Sequence, residues 1–346
     1  MPGDNHLEME RIIKEKAALV DAEIARILNN GKTKEIWKNT GNNQDMLYDS
    51  LTHIIWSGGK RIRPVMCMLA CEAVGGDSTK ILPTAAGIEF LHTFTLVHDD
   101  VMDRAPLRRG VPSVHSIWGE PIAITAGDAL FSLAFKAIAS NANVKGVSPF
   151  RVKKVLDLAA EKCLDLARGQ TLDLVFEEAE DINIEDYLEM VKLKTSSLME
   201  FSVQAGAILG GGTQQEIEAL GKFGALAGTA FQIQDDILDI EGKKTGKEQC
   251  IDLYKGKKTF IVLHTLKKAL PEEKHKMISI LNKKTKKAEE IKQLVDIIKN
   301  SRSIEYAKKT ANKLMKNAEK HLDQLKRNTG RENLKKLIRY LMSREK

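Results

Sequence analysis

An all-α fold follows from three features of this 346-residue chain. It has only eight prolines, and none falls between Phe150 and Leu270, so nothing in that stretch breaks long helices. Aromatic residues make up 5% and β-branched runs are short, which leaves little from which to build strands. Apolar residues recur instead at the spacing of a helix face. A chain of this length can bury one large core or two ordinary ones, and the reading is one large helical bundle around a central apolar cavity, spanning 1–346 as a single domain.

Taken in order, residues 1–50 form an amphipathic helix followed by a polar connection, with Leu7, Met9, Ile12, Ile13 and the run from Ala17 to Leu28 on its apolar face. Pro64 opens a helix through Val74, and Gly75 to Asp77 breaks it. Pro83 starts the next helix, which runs to Asp103, and RAPLRRGVPSVHSIWG then reads as a loop. From Ala123 the pattern is helical again, interrupted near Gly146, Glu180 and Gly210 to Gly212, until the helix carrying Asp235. TGKEQCIDLYKGKKT reads as a flexible cationic loop. In the C-terminal helices, 282–346, apolar residues Ile304, Ala307, Ala311, Leu314, Met315, Ala318, Leu322 and Leu325 keep helical spacing.

The formal charge of +7 raises the question of nucleic acid. Residues 282–346 hold 20 Lys and Arg against 8 Asp and Glu, so the rest of the chain carries about −5. The basicity therefore belongs to the outer face of packed helices, and no aromatic interleaving supports a nucleic-acid surface. Cys67, Cys71, Cys163 and Cys250 form neither a CxxC pair nor a ligand set with histidine. No signal peptide is present, and AITAGDALFSLAFKAIA is broken by Asp128 and Lys136, so the expectation is a cytoplasmic protein with reduced thiols and no membrane span.

The chemistry lies in a duplicated acidic pattern, LVHDDVMD and FQIQDDILD, 136 residues apart. On a helix Asp99 and Asp103 share a face with Asp100 close by, and Asp235, Asp236 and Asp239 repeat the arrangement. Like charges at that spacing repel, and hard oxygen ligands of this kind suit magnesium bridging phosphate oxygens. A single such motif is more often a solvated face; two, each interleaved with apolar residues such as Val97, Ile233 and Ile237, line the mouth of a core. Cationic groups accompany both. Lys60, Arg61 and Arg63 stand beside the Gly58-Gly59 turn, Arg108 and Arg109 follow the first motif, and Lys247 and Lys257 follow the second. Two diphosphates around one apolar cavity imply a substrate with a charged head and a greasy tail.

SGGKRIRP, HDDVMDRAPLRRG, GQTLD, KTS, FQIQDDILD and GKKT, in that order from about Gly58 to Thr259, resemble the trans-isoprenyl diphosphate synthase (polyprenyl synthetase) family. The resemblance implies an isoprenoid-synthase bundle, a homodimer and head-to-tail elongation. Magnesium, three ions per site, would sit on Asp99, Asp103 and Asp235, with Asp100, Asp173, Asp236, Asp239 and Gln170 in support. Lys60, Arg63, His92 and Arg109 would hold isopentenyl diphosphate, and Arg108, Lys194, Lys247 and Lys257 the allylic diphosphate. Thr195 and Gln232 would turn oxygen dipoles towards an allylic cation, alongside Lys194 and Lys247 in catalysis.

Two departures stand out. Cys250 occupies a position where the family usually has glycine, and KTFIV around Phe260 replaces KTLP. Phe94, five residues before Asp99 and about 7.5 Å down the helix axis, would form the floor for the growing chain, with small Thr95 beside it and Leu91 one turn deeper. That pattern resembles archaeal-type geranylgeranyl diphosphate synthases, with farnesyl or geranylfarnesyl diphosphate as alternative products. A non-catalytic partner subunit of a prenyl synthase would be the reading from a different class.

Overall fold

The computed structural model describes residues 2–29, 46–179, 181–242 and 249–343. The molecule is all-α apart from one two-residue hairpin among the described residues. Its chain divides into two compact units, Met1–Ala159 with Ser202–Glu218 and Leu325–Leu334, and Ala160–Phe201 with Ala219–Gln324 and Lys335–Lys346.

The first unit contains α1 (Pro2–Asn29), α2 (Met46–Trp56), α3 (Ile62–Ala73), α4 (Leu82–Met102), α5 (Val114–Trp118) and α6 (Glu120–Ser140). Pro83 stands in the first turn of α4, where its missing N–H costs nothing. The helix runs on to Asp103, which caps it, so the first acidic motif occupies its last turn as the sequence predicts. Cys67 and Cys71 lie buried on α3 as ordinary core residues. α4 packs extensively against α6. The stretch Glu120–Asn143 is long and apolar enough to cross a membrane by length and composition, yet 44% of its most apolar window is buried, as befits a core helix.

The predicted loop after the first motif is more ordered than expected. Leu107–Arg108 (β1) pairs with Val111–Pro112 (β2), and Arg109 and Gly110 both take positive φ, 54° and 83°, which makes the tight turn between them type I′ in character. α5 follows directly. This part of the polar run is therefore a hairpin and a helix turn that hold two adjacent arginines in fixed directions.

α7 (Pro149–Glu178) leads into the second unit, with α8 (Ile184–Val191), a π turn at Lys192–Ser196 and α9 (Ser197–Gly210) after it. α10 (Gln214–Glu241) carries the second acidic motif. Then come α11 (Ile251–Lys255), α12 (Phe260–Lys268), α13 (Pro271–Leu281), α14 (Ala288–Asn300), α15 (Ser303–Leu322) and α16 (Thr329–Met342). The loop reading of TGKEQCIDLYKGKKT is corrected in part, because Ile251–Lys255 is helical. Asn183 caps α8 by a reciprocal pair, its side chain taking the Asp186 N–H while Asp186 takes that of Asn183. In the second unit's core Ile233, Ile237, Phe260, Leu294, Ile298 and Ala307 are buried together. Ile304, Ala307, Ala311, Met315, Ala318 and Leu322 of α15 face inward, which leaves the helix's lysines on its outer side.

Candidate active site

In the first unit a group of arginines surrounds the end of α4. Arg61, in a left-handed conformation at the start of α3, is buried. Its guanidinium donates to Asp21 Oδ1 at 2.8 Å, to Glu89 Oε1 at 2.9 Å and to the Ile55 carbonyl at 2.7 Å. It therefore ties α1, α2 and α4 to the Gly58-Gly59 turn and leaves Lys60 exposed at the rim. Burial pushes the Glu89 carboxyl up, with Arg61 and Arg109 pulling it back.

Arg63 Nη1 lies 3.2 Å from His92 Nε2. Burial, reinforced by Arg63, Arg109, Arg108 and Arg61, pushes the His92 imidazole well below its ordinary value. His92 is thus a neutral acceptor that orients Arg63. Arg109 donates to the Gly58 carbonyl and its guanidinium lies over Gly59, whose φ of 130° favours glycine. Arg63, His92 and Arg109 are thereby brought together, with Lys60 exposed next to the Gly58-Gly59 turn, and the arginines make the group suited to an anion.

The three acids of the first motif differ. Asp100 is buried and held by the Arg108 fork, with Arg108 Nε 2.9 Å from Oδ1 and 3.1 Å from Oδ2, whereas Asp99 and Asp103 keep access to solvent. Arg108, expected on an anionic ligand, is here engaged with its own motif. Below the acids, Phe94 meets Phe131 of α6 edge to face at 5.2 Å between ring centres, and Phe131 meets Phe135 at 5.0 Å. Leu91 is buried beneath, and Thr95 returns its hydroxyl to the His92 carbonyl at 2.8 Å.

The second unit repeats the division of labour. Asp235 is exposed, while Asp236 and Asp239 are buried. Asp239 accepts the Ile251 N–H at 3.0 Å and the Asp252 N–H at 3.1 Å, so its carboxylate caps α11 and holds the loop. Asp236 accepts from Tyr187 Oη at 2.6 Å, Gln232 Nε2 at 3.2 Å and the Phe260 N–H at 3.3 Å. Burial and the nearby Asp252 push it up to about 8 against those donors. Asp252 itself is pushed up to about 6 by burial and by Asp239.

Beside them is a cavity of about 110 Å³ lined by Asp173, Lys194, Thr195, Gln232, Asp236 and Lys257, among others. Lys194 Nζ lies 2.6 Å and Lys257 Nζ 3.4 Å from Asp173 Oδ2. Burial would raise the Asp173 carboxyl, but the two ammonium groups outweigh it and hold it below the usual range. Gln170 stands one turn before Asp173 on α7. Thr195 donates its hydroxyl to Gln232 Oε1 at 3.0 Å. Lys247 lies outside the described residues.

Lys194 and Thr195 both belong to the π turn, whose extra residue per turn redirects side chains and commonly marks functional sites. Two glycines allow it. A Cβ at Gly169 would lie 2.3 Å from the Lys194 nitrogen, and one at Gly228 would lie 2.6 Å from Ser196 Cα. The first explains the glycine of GQTLD; nothing in the sequence pattern singled out the second.

A family model described as Polyprenyl synthetase matches residues 44–298. The chain belongs to this family. It is 40% identical over 295 residues to a short chain isoprenyl diphosphate synthase from Methanothermobacter thermautotrophicus, covering 85% of this chain and 89% of that one. It is 36% identical over 335 residues to a geranylgeranyl diphosphate synthase from Methanosarcina mazei, covering 96% and 97%. Among solved structures it resembles a geranylgeranyl pyrophosphate synthetase from Pyrococcus horikoshii, with a TM-score of 0.88 at 36% identity over 97% of this chain and 98% of that one.

Within this polyprenyl synthetase, no cluster of three or more His, Cys, Asp or Glu side chains among the described residues makes a ready cation cage. Among the described residues, each unit by itself offers solvent-reaching carboxylate oxygens from its acidic motif, Asp99 and Asp103 in the first and Asp235 in the second. That hard, sparse donor set fits magnesium, which keeps several waters and completes its shell with substrate phosphates. Beside the predicted residues stand three that the sequence pattern passed over: Phe131 and Phe135, in contact in turn with Phe94, and Tyr187, on Asp236. Phe131, Phe135 and Tyr187 lie 37, 41 and 88 residues beyond Phe94 and Asp99 respectively in chain order, and no local motif marks them.

Proposed function

We propose that this polyprenyl synthetase condenses isopentenyl diphosphate head to tail with allylic diphosphates and releases the twenty-carbon geranylgeranyl diphosphate. The observation that carries the proposal is the sorting of the acids. In each motif an inner carboxylate is neutralised or capped within the protein, while Asp99, Asp103 and Asp235 stay accessible, with lysines or arginines gathered nearby.

In this reading Asp99, Asp103 and Asp235 hold magnesium, three ions per site. Bound magnesium supplies positive charge to the leaving diphosphate. Lys194 and Lys257, which pair with Asp173 on the wall of the cavity, are assigned to a diphosphate oxygen, as are Lys247 and Arg108. The allylic C–O bond breaks and its electron pair leaves with the diphosphate. The double bond of isopentenyl diphosphate, held by Lys60, Arg63 and Arg109 with His92 orienting Arg63, then forms the new C–C bond. A proton passes to the departed diphosphate. Gln232 and Thr195 present oxygen dipoles to the transient cation without the basicity of a carboxylate, and so stabilise charge that exists only in the transition state.

The test is incubation of the protein with labelled isopentenyl diphosphate, geranyl diphosphate and magnesium, followed by chromatography of the dephosphorylated products. A dominant twenty-carbon alcohol is expected. Fifteen or twenty-five carbons would keep the chemistry and move the floor from Phe94. No product with any primer would favour a non-catalytic subunit. Light scattering, with a homodimer expected, tests the assembly.

A further inference from the structure

Four side chains in the second unit form one hydrogen-bonded line. Tyr187 Oη donates to Asp236 Oδ2 at 2.6 Å, Gln232 Nε2 donates to Asp236 Oδ1 at 3.2 Å, and Thr195 Oγ1 donates to Gln232 Oε1 at 3.0 Å. Asp236 is the acceptor in each of its hydrogen bonds, Oδ1 from Gln232 and Oδ2 from Tyr187 and the Phe260 N–H. Asp236 therefore fixes which end of the Gln232 amide faces it: the NH2 turns to Asp236 and the carbonyl oxygen to Thr195. With that orientation set, the Thr195 hydroxyl spends its hydrogen on Gln232 and keeps its lone pairs for whatever occupies the cavity. A flipped amide would present N–H groups instead, which repel a cation.

Tyr187 and Asp236 are both buried, and the Phe260 N–H also points at Asp236 Oδ2, 3.3 Å away. Phe260 follows Lys257 by three residues, so the same carboxylate anchors the segment that brings that lysine to Asp173. Asp236 is thus the centre of an internal scaffold. Its motif partner Asp235 is exposed.

We propose that Tyr187 is a positioning residue which, through Asp236, locks the Gln232 amide and the Thr195 hydroxyl with their oxygens towards the reacting carbons. The inference rests on the prenyltransferase reading above. Tyr187→Phe removes only the hydroxyl and retains the ring, which lies 6.1 Å from the Phe260 ring.

The experiment compares wild type, Tyr187→Phe, Gln232→Ala and the double variant in steady-state condensation. For Tyr187→Phe the expected result is a fall in kcat of about 10- to 100-fold, with KM for both diphosphates within about twofold. Adding Gln232→Ala should then cost little more, because the two changes disable one arrangement. Unchanged kcat, a rise confined to KM, or losses that multiply would overturn it.

A second readout needs no turnover: the side-chain amide hydrogens of Gln232, followed by NMR on glutamine-labelled protein. Exchange at least about tenfold faster in Tyr187→Phe than in wild type supports the lock. Equal rates overturn it. If wild type yields no prenyl product, the functional reading falls, while the amide exchange still decides the lock.

Discussion

Phe94 meets Phe131 edge to face, and Phe131 meets Phe135, so the aromatic beneath the first acidic motif is held in a run of rings, with His98 also against it at 4.9 Å between ring centres. Phe94→Ala should lengthen the product by at least one five-carbon unit, read by chromatography; an unchanged distribution would mean that Phe94 is not the floor. Asp252 gives a pH prediction. Its folded value, about 6, stands above its ordinary value of 3.8, so the folded state holds the extra proton in between. Its contribution is present in full below about pH 4 and is lost as pH rises through 6. Asp252→Asn should flatten that decline in metal-free protein and raise stability at pH 8 by at most about 3 kcal/mol, measured by denaturant unfolding. Cys250 is the residue whose oddity the sequence already announced. It takes φ 62°, ψ 36°, a conformation that glycine adopts without the penalty of about 1 kcal/mol a Cβ incurs. Single residues were legible where the pattern is local: the helical placement of Asp99, Asp103 and Asp235 and their access to solvent follow from their spacing among apolar neighbours. Tyr187 was not, since its partner lies 49 residues away and a tyrosine on an amphipathic helix looks like core.

Among the elements, α4 and α10 follow directly from proline placement and apolar spacing, and their acidic motifs fall on helix as expected. The hairpin at Leu107–Pro112 was not legible, because Arg109-Gly110 lacks the Asn-Gly signal of a type I′ turn. Nor was the π turn, which has no compositional signature; only its neighbours, Gly169 and Gly228, betray it once their distances are known. Gly169→Ala would drive a methyl group into the Lys194 backbone. It should cost about 1–3 kcal/mol of stability and lose disproportionate activity, because Lys194 and Thr195 move together. Thermal melts beside kcat measurements check it: a loss of stability with kcat intact would detach the π turn from catalysis.

For the molecule as a whole, magnesium with a non-hydrolysable diphosphate analogue should stabilise the folded state by mass action, about 2.7 kcal/mol at a hundredfold excess over Kd. Either component alone should do less, and a Tm that ignores both would count against a metal-bridged diphosphate. Composition made the all-α class legible at this scale; the division into two compact units leaves no proline-rich or glycine-rich boundary in the sequence to announce it. The charge layout bears on handling as well as on folding. Residues 282–346 carry a surplus of 12 positive charges over a remainder that is slightly acidic, and α15 turns its lysines outward. On a cation-exchange resin near neutral pH the protein should therefore adsorb in one preferred orientation, by that patch. Replacing a few α15 lysines with glutamate should shift its elution far more than the same number of charge reversals made elsewhere, and the bound enzyme would present a uniform face to the mobile phase.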